Sequence, residues 1–180
     1  MSESLYVFKV IIAGDSGVGK TAAVSRFVDG RFISNTKSTI GVDFSLKNVN
    51  LDLDSSKSEV QVALQIWDVA GESRFRSILP YYIAGTQGLI LAFDGTAPPT
   101  LDRLNEWLEV IGLYLSEKIP MILISTKNDL NPNINHDAVK SFMGQHEVLE
   151  YFATSSLSGE NINTAFRALT ELIARSKGLS

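Results

Sequence analysis

Eight consecutive residues carry the densest chemistry in the chain: Gly14-Asp15-Ser16-Gly17-Val18-Gly19-Lys20-Thr21. They fit the pattern G-x-x-x-x-G-K-[ST] and stand between an apolar, β-branched run and a helical stretch, the context that this pattern requires. Glycines let the backbone fold so that successive N–H groups of Ser16, Gly17, Val18 and Gly19 point inward at phosphate oxygens, and the following helix adds the positive end of its dipole. Lys20 neutralises charge on the outer phosphates, and the Thr21 hydroxyl is placed to reach Mg2+. A bare turn at a strand end needs glycine, but neither Lys20 nor Thr21 at this spacing. The same segment also spells Gly-Asp-Ser-Gly, the nucleophile tetrapeptide of some secreted serine proteases. That chemistry needs a triad histidine, and His136 and His146 read as surface or core residues. Those proteases usually carry disulfides, and this chain has no cysteine.

A second cluster, Thr126-Lys127-Asn128-Asp129, follows the apolar run from Ile119 to Ser125. An aspartate at such a strand end accepts both the ring N–H and the exocyclic amine of guanine, whereas adenine presents the wrong pattern. Two charge-assisted hydrogen bonds at about 1.5–3 kcal/mol each favour guanine by orders of magnitude. Alone the cluster is a weak signal; behind a phosphate loop it is informative.

These groups must be held by elements that the hydrophobic pattern makes visible. Leu5 to Ala13 reads as a central strand covered on both faces and stopped by Gly14. Phe44 and Leu46, then Val49, Leu51 and Leu53, alternate with polar residues, with a phase slip near Lys47-Asn48. Val60, Val62, Leu64 and Ile66 alternate again after the polar turn from Asp54 to Ser58. The two runs predict an antiparallel hairpin with a bulge at the slip. Gly88 to Phe93 and Ile119 to Ser125 are further buried-type strands. Leu101, Leu104, Leu108, Ile111 and Leu115 predict an amphipathic helix entered at Pro98-Pro99. A last helix carries Ile162, Ala165, Phe166, Leu169, Leu172 and Ile173, with Ser158 as its cap. Strands alternating with helices predict a three-layer α/β fold with ligands at the carboxyl ends of the strands.

Composition narrows the alternatives. The chain has 180 residues, 44% of them hydrophobic, with 16 Lys and Arg against 20 Asp and Glu. That length suits one domain with one core, and the apolar content excludes a disordered polymer. A net charge of −4 without a basic run argues against binding to nucleic acid. The absence of cysteine excludes a Cys-based zinc site, a thiol nucleophile and an iron–sulfur cluster. Asp52 and Asp54 resemble a metal pair but fall at the hairpin turn, where solvated carboxylates are common. The start lacks a signal peptide, no apolar run is long enough to span a bilayer, and the end carries no lipid-acceptor cysteine. The expectation is a soluble cytoplasmic protein with no membrane anchor of its own, reaching a membrane peripherally only through a missing tail or a partner.

With these motifs in order, the chain resembles the Ras superfamily of small GTPases, most closely the Rab family, over nearly its whole length. Beyond the phosphate loop the likeness rests on Ser38-Thr39-Ile40-Gly41-Val42-Asp43-Phe44 and on Leu64-Gln65-Ile66-Trp67-Asp68-Val69-Ala70-Gly71-Glu72. It continues through Arg74-Phe75-Arg76-Ser77-Ile78 and Tyr81-Tyr82. The resemblance implies a single G domain over residues 1–180, with a mostly parallel six-stranded sheet, one antiparallel strand and helices on both faces. It implies that Thr21, Thr39 and Asp68 hold Mg2+, that Thr39 and Gly71 sense the γ-phosphate, and that Lys20, Gly71 and Glu72 serve hydrolysis. Phe32, Thr126, Lys127, Asp129, Ser155, Ser156 and Leu157 fall where the family binds the base. Ile40, Phe44, Trp67 and Tyr82 fall where Rab proteins meet effectors, although Phe44 and Trp67 also read as core packing. Exchange factors and GTPase-activating proteins are the further partners implied, and a monomer is the default.

The chain departs from the family pattern at Glu72, where the family usually has Gln. A carboxylate only accepts, and at about 5 Å from the γ-phosphate, with an effective dielectric near 20, each like charge costs about 3 kcal/mol. Val69 and Ser73 flank this change. Thr126 and Leu157 replace the family's usual Asn and Lys, and Rho-type GTPases are similar at both places, so guanine binding is expected to survive. The expectation is a GTP/GDP switch that hydrolyses GTP slowly and regulates vesicle trafficking. The alternatives are a hydrolysis-deficient, constitutive GTP-binding module and a phosphate-loop kinase or ATPase of another family.

Overall fold

The computed structural model describes residues 5–34, 38–52 and 59–179. β1 (Leu5–Ala13) runs into the loop that opens α1 (Lys20–Asp29), and β2 (Val42–Asp52) pairs antiparallel with β3 (Glu59–Val69). A 3₁₀ segment (Ser73–Ile78) leads into α2 (Leu79–Ile83), β4 (Gly88–Asp94), α3 (Pro99–Asp102) and α4 (Leu104–Gly112). Then come β5 (Met121–Thr126), a short 3₁₀ turn (Asn128–Leu130), α5 (His136–His146), β6 (Glu150–Ala153) and α6 (Ile162–Ser176). The strands form one six-stranded sheet in the order β2-β3-β1-β4-β5-β6. All neighbours except β2 and β3 are parallel. The predicted mostly parallel sheet with one antiparallel strand is the observed one.

Each face of the sheet is sealed by apolar helix stripes. On one face Phe8, Val10, Ile12, Ile90 and Ile124 pack against Phe27 of α1 and Phe166, Leu169 and Ile173 of α6. The rings of Phe27 and Phe166 stack with centroids 4.3 Å apart. On the other face Ile11, Leu89, Leu91 and Leu123 meet Ile83, Leu104, Trp107 and Phe142. β1 lies at the centre as predicted, but it is covered on both faces only in its second half. Val7 is half exposed, because no helix covers that face beside β3 and β2.

Three local expectations need correction. The β2–β3 register runs unbroken from Val42 opposite Val69 to Asp52 opposite Glu59, so there is no bulge at Lys47-Asn48. The slip instead marks an exchange of faces. Phe44 and Leu46 lie on the uncovered face and are exposed, whereas Val49 and Leu51 are buried in the core. The helix expected through Leu115 is interrupted at Arg103 and ends at Gly112. At the break Glu106 N donates to Arg103 O at three-residue spacing, and the Asn105 side-chain amide takes the carbonyl of Asp102. Its buried stripe is Leu101, Leu104, Trp107 and Ile111, with Leu108 and Leu115 only partly covered. Finally, Ser158 does not cap α6. Its hydroxyl accepts from Glu160 N, and the cap residue is Asn161 in a left-handed conformation without a side-chain cap bond. Of the suspected carboxylate pair, Asp54 lies outside the described residues and Asp52 is exposed beside Arg167 at 3.4 Å.

The stacked ring pair joins the two helices over one face, so Phe27→Ala should cost about 3–5 kcal/mol. Leu46→Ala, which empties no core space, should stay within about 0.5 kcal/mol. Equilibrium urea unfolding of the two variants checks both values.

Candidate functional site

Gly14 ends β1 at φ +151°, so close to β4 that a methyl group there would lie 2.1 Å from Ala92 O. Gly17 and Gly19 follow at positive φ and complete a turn that side chains would strain. The carbonyls of the turn are held from outside it. Lys20 Nζ donates to Gly14 O at 2.8 Å and to Asp15 O at 2.9 Å. Lys127 Nζ donates to Gly17 O at 3.0 Å, and the Thr126 hydroxyl donates to Val18 O. Peptides whose carbonyls are fixed outward leave their N–H groups for an anion.

That anion position is a cavity of about 130 Å³ lined by Ser16, Gly17, Gly19, Lys20, Thr21, Ser38, Thr39 and Gly71. Burial pushes the Lys20 ammonium down to about 8, against the pull of Asp68 and Asp15. An anion in the cavity would offset that desolvation. At one side the Thr21 hydroxyl donates to Asp68 Oδ2 and lies 2.8 Å from the Thr39 hydroxyl. Burial raises the Asp68 carboxyl, opposed by its Thr21 hydrogen bond and by Lys20. Asp68 Oδ1 is buried and finds no hydrogen-bond partner among the described residues. Two hydroxyls and a carboxylate with a spare oxygen fit a hard divalent cation such as Mg2+.

A second cavity, about 350 Å³, shares Gly17 and Gly19 with the first. Phe32, Ile33, Thr126, Lys127, Asp129, Leu130, Ser156 and Leu157 line it. The Ser155 hydroxyl is fully buried and donates to Asp129 Oδ1 at 2.5 Å, fixing one carboxylate oxygen. Lys127 adopts φ +61° and pairs with Asp94 Oδ2 at 2.5 Å. Burial pushes Asp94 up, but the Lys127 ammonium and the hydroxyl and N–H of Thr96 outweigh it and hold the carboxyl below its ordinary range. The Val18 side chain belongs to the core, so this residue reaches the site only through its backbone.

Glu72 is not among the residues lining the phosphate cavity. Its Oε2 pairs with Arg74 Nε at 2.7 Å. Phe44, Trp67 and Tyr82 do come together, with ring centroids 5.2 and 5.5 Å from the central indole, and Ile40 is 80% exposed. Sequence reasoning missed Ile33 and Leu130 in the second cavity, and it missed Asp94. The Asp94-Gly95 pair at a strand end was the available signal for Asp94.

A turn of this shape, opening both cavities at the carboxyl end of a central parallel strand, defines a phosphate-loop domain of the small-GTPase class. A family model described as the Ras family matches residues 9–175. The chain is 36% identical over 170 residues to the Ras-related protein RABD2b of Arabidopsis thaliana, covering 93% of this chain and 81% of that protein. It is 35% identical over 177 residues to the GTP-binding protein YPT1 of Saccharomyces cerevisiae, covering 97% and 82%. The GTP-binding protein YPTM2 of Zea mays is likewise 35% identical over 170 residues, covering 93% and 80%. The chain thus belongs to the Ras family and is a Rab-type small GTPase. No helix among the described residues is long and apolar enough to cross a membrane.

The Thr126 hydroxyl is, with the Lys127 ammonium, one of two direct side-chain ties from the second cavity to the turn, and the buried one. Thr126→Val, nearly equal in volume, should therefore speed guanine-nucleotide release by about 5- to 20-fold, as expected for losing a buried hydrogen bond of about 1–2 kcal/mol. Thr126→Ser should release at nearly the parent rate. Stopped-flow chase of a fluorescent GDP distinguishes the three proteins.

Proposed function

We propose that the chain is a guanine-nucleotide switch that binds GTP and GDP with Mg2+, hydrolyses GTP slowly and regulates vesicle trafficking through effectors at residues 38–44 and 67–82. The observation that carries this reading is the single loop, residues 14–21, that serves the phosphate cavity on one side and the Asp129 cavity on the other. Its span suits a nucleoside polyphosphate. Asp129, with one oxygen fixed by Ser155, accepts from the guanine edge, while Phe32 and Leu157 flank the ring. Lys20 and the loop N–H groups hold the phosphates, and Gly71 offers its N–H where the outermost phosphate ends. Thr21, Thr39 and Asp68 would hold Mg2+, which when bound neutralises charge on the phosphate oxygens.

Hydrolysis is an in-line attack of water on the γ-phosphate, and Glu72 is the residue nearest in sequence that can accept from that water. Arg74 competes for the same carboxylate, and this pair supports the slow rate. The half-buried cluster around Trp67, with exposed Phe44 and Ile40, offers effectors an aromatic surface that adjoins both segments. In this reading the G domain acts in the cytoplasm as a monomer, associating peripherally with membranes through a tail or a partner. The Glu72–Arg74 pair also favours a second reading, a binder that retains GTP and scarcely hydrolyses it.

The deciding experiment loads the purified chain with GTP and Mg2+, removes excess nucleotide and chromatographs bound nucleotide over hours. GDP accumulation that Lys20→Ala abolishes supports the switch, whereas retained GTP supports the constitutive binder. Displacement of GTP by equimolar ATP would overturn the guanine assignment. Glu72→Gln restores an amide that both donates and accepts, and should raise the rate by at least about 10-fold. Asp129→Asn should weaken GTP by at least about 100-fold and xanthosine triphosphate far less, as expected for losing charge-assisted bonds. Equal losses for the two nucleotides would remove Asp129 from the base site.

A further inference from the structure

Asp15 is the one charged side chain of the phosphate loop that faces away from the phosphates, and neither the motif nor the proposed mechanism uses it. Both of its carboxylate oxygens are taken by the helix that follows β4. Oδ2 pairs with Arg103 Nε at 2.5 Å, and Oδ1 accepts from Trp107 Nε1 at 3.3 Å. The side chain is only 16% exposed and Trp107 is fully buried. Arg103 sits where α3 gives way to α4, four residues before Trp107, so the two side chains share a face and address one carboxylate.

The peptide of the same residue touches the reactive end of the site. Asp15 O accepts from Lys20 Nζ at 2.9 Å. A methyl group on Gly71 would lie 2.2 Å from Asp15 C and 2.5 Å from Asp15 O, so Gly71 rests directly on this peptide. The segment that leaves Gly71 returns to the same helix five residues later. Arg76 lies over the Trp107 ring at 5.1 Å and pairs with Glu106 Oε2 at 2.8 Å. Its Nε is buried without a hydrogen-bond partner among the described residues, so its docking rests on the Glu106 pair and the indole.

We propose that Asp15 is a positioning residue, and that Arg103 and Trp107 couple the docking of the Arg76 segment to the shape of the phosphate loop. The two-state element is the segment 72–78, docked on Trp107 or released from it. With Arg76 docked, Trp107 is fixed and holds Asp15, and the Asp15 peptide presents Gly71 and Lys20 to the cavity. A triphosphate reaches Gly71 and gains from the docked state, whereas a diphosphate ends short of it. Coupling of this kind changes affinity by about 5- to 150-fold in typical proteins. The inference rests on the guanine-nucleotide reading above and adds the residues through which the loop senses the segment.

The test measures dissociation of GDP and of a non-hydrolysable GTP analogue, with thermal unfolding alongside. It uses the parent chain and Arg103→Gln, Arg103→Lys, Trp107→Phe, Arg76→Gln and the Arg76→Gln/Arg103→Gln double variant. Arg103 is half exposed, so its replacements should fold; Asp15→Asn, isosteric with the parent, serves if they do not. Arg103→Gln, Trp107→Phe and Arg76→Gln should each speed release of the analogue by about 5- to 20-fold and of GDP by less than about 3-fold. Arg103→Lys should recover most of the loss. The double variant should lose little more than the worse single variant, as residues acting in one chain do. A merely structural role would speed both nucleotides equally and track the unfolding temperature. Equal effects on the two nucleotides, rates within about 2-fold of the parent, or multiplying effects in the double variant would each overturn the proposal. Failure of the parent to bind guanine nucleotide would instead refute the reading on which it rests.

Discussion

The carbonyl oxygens of Gly14, Asp15, Gly17 and Val18 are each held by a side chain, two of them by Lys20 at the start of the next helix and two by residues more than 100 positions away. Lys20, Lys127 and Thr126 each take one or more of these oxygens. An unpaired buried carbonyl costs about 1–3 kcal/mol, so without these partners the turn would relax toward its own N–H groups and the cradle would close. The remaining architecture serves this constraint. β1 must be central so that its end lies beside β4, and β5, the next strand beyond β4, must end level with the loop for Thr126 and Lys127 to reach it. The sheet order is thus a condition for the loop's shape.

This arrangement explains how unusual residues at the second cavity leave the loop's shape intact. What the loop needs from position 126 is one donor aimed at Val18 O, and the Thr126 hydroxyl supplies it while remaining buried. Position 157 needs only apolar contact at the cavity wall, which Leu157 gives beside Leu130 and Phe32. Glu72 differs in that it brings a negative charge where the family has a neutral amide. The protein answers with a neighbouring charge, Arg74, in a partly exposed pair that is weakly held.

Much of this was readable from sequence where the information is local. The phosphate loop is eight adjacent residues, the hairpin is two alternating runs, and the helix stripes repeat within a few turns. The face exchange at Lys47-Asn48 was visible as a slip, but alternation alone does not separate a bulge from a strand that passes beyond its covering helices. β6, only four residues from Glu150 to Ala153 and half buried throughout, gives too short a pattern to stand out. α5 begins at Asn135, whose side chain accepts from Asp137 N and Ala138 N, yet its polar composition hides its period. The contacts of Asp15 lie 92 residues away at Trp107, and no local rule relates an aspartate in a loop to an indole on a later helix.

The unbroken hairpin register has a consequence for how the chain tolerates change in length. Gly41 O accepts from Ala70 N at 2.9 Å, one rung beyond Val42 opposite Val69, so both segments bordering the phosphate cavity leave from a single rung. A residue inserted within β2 or β3 would slide one segment by about 3.3 Å against the other and turn every following side chain to the opposite face. Thr39 and Asp68 would then lose their common meeting point. Extra residues between Asp52 and Glu59, at the far end, leave that rung untouched. The hairpin therefore works as a ruler with a fixed zero at the site, so a change of length within β2 or β3 is felt there and one beyond Asp52 is not.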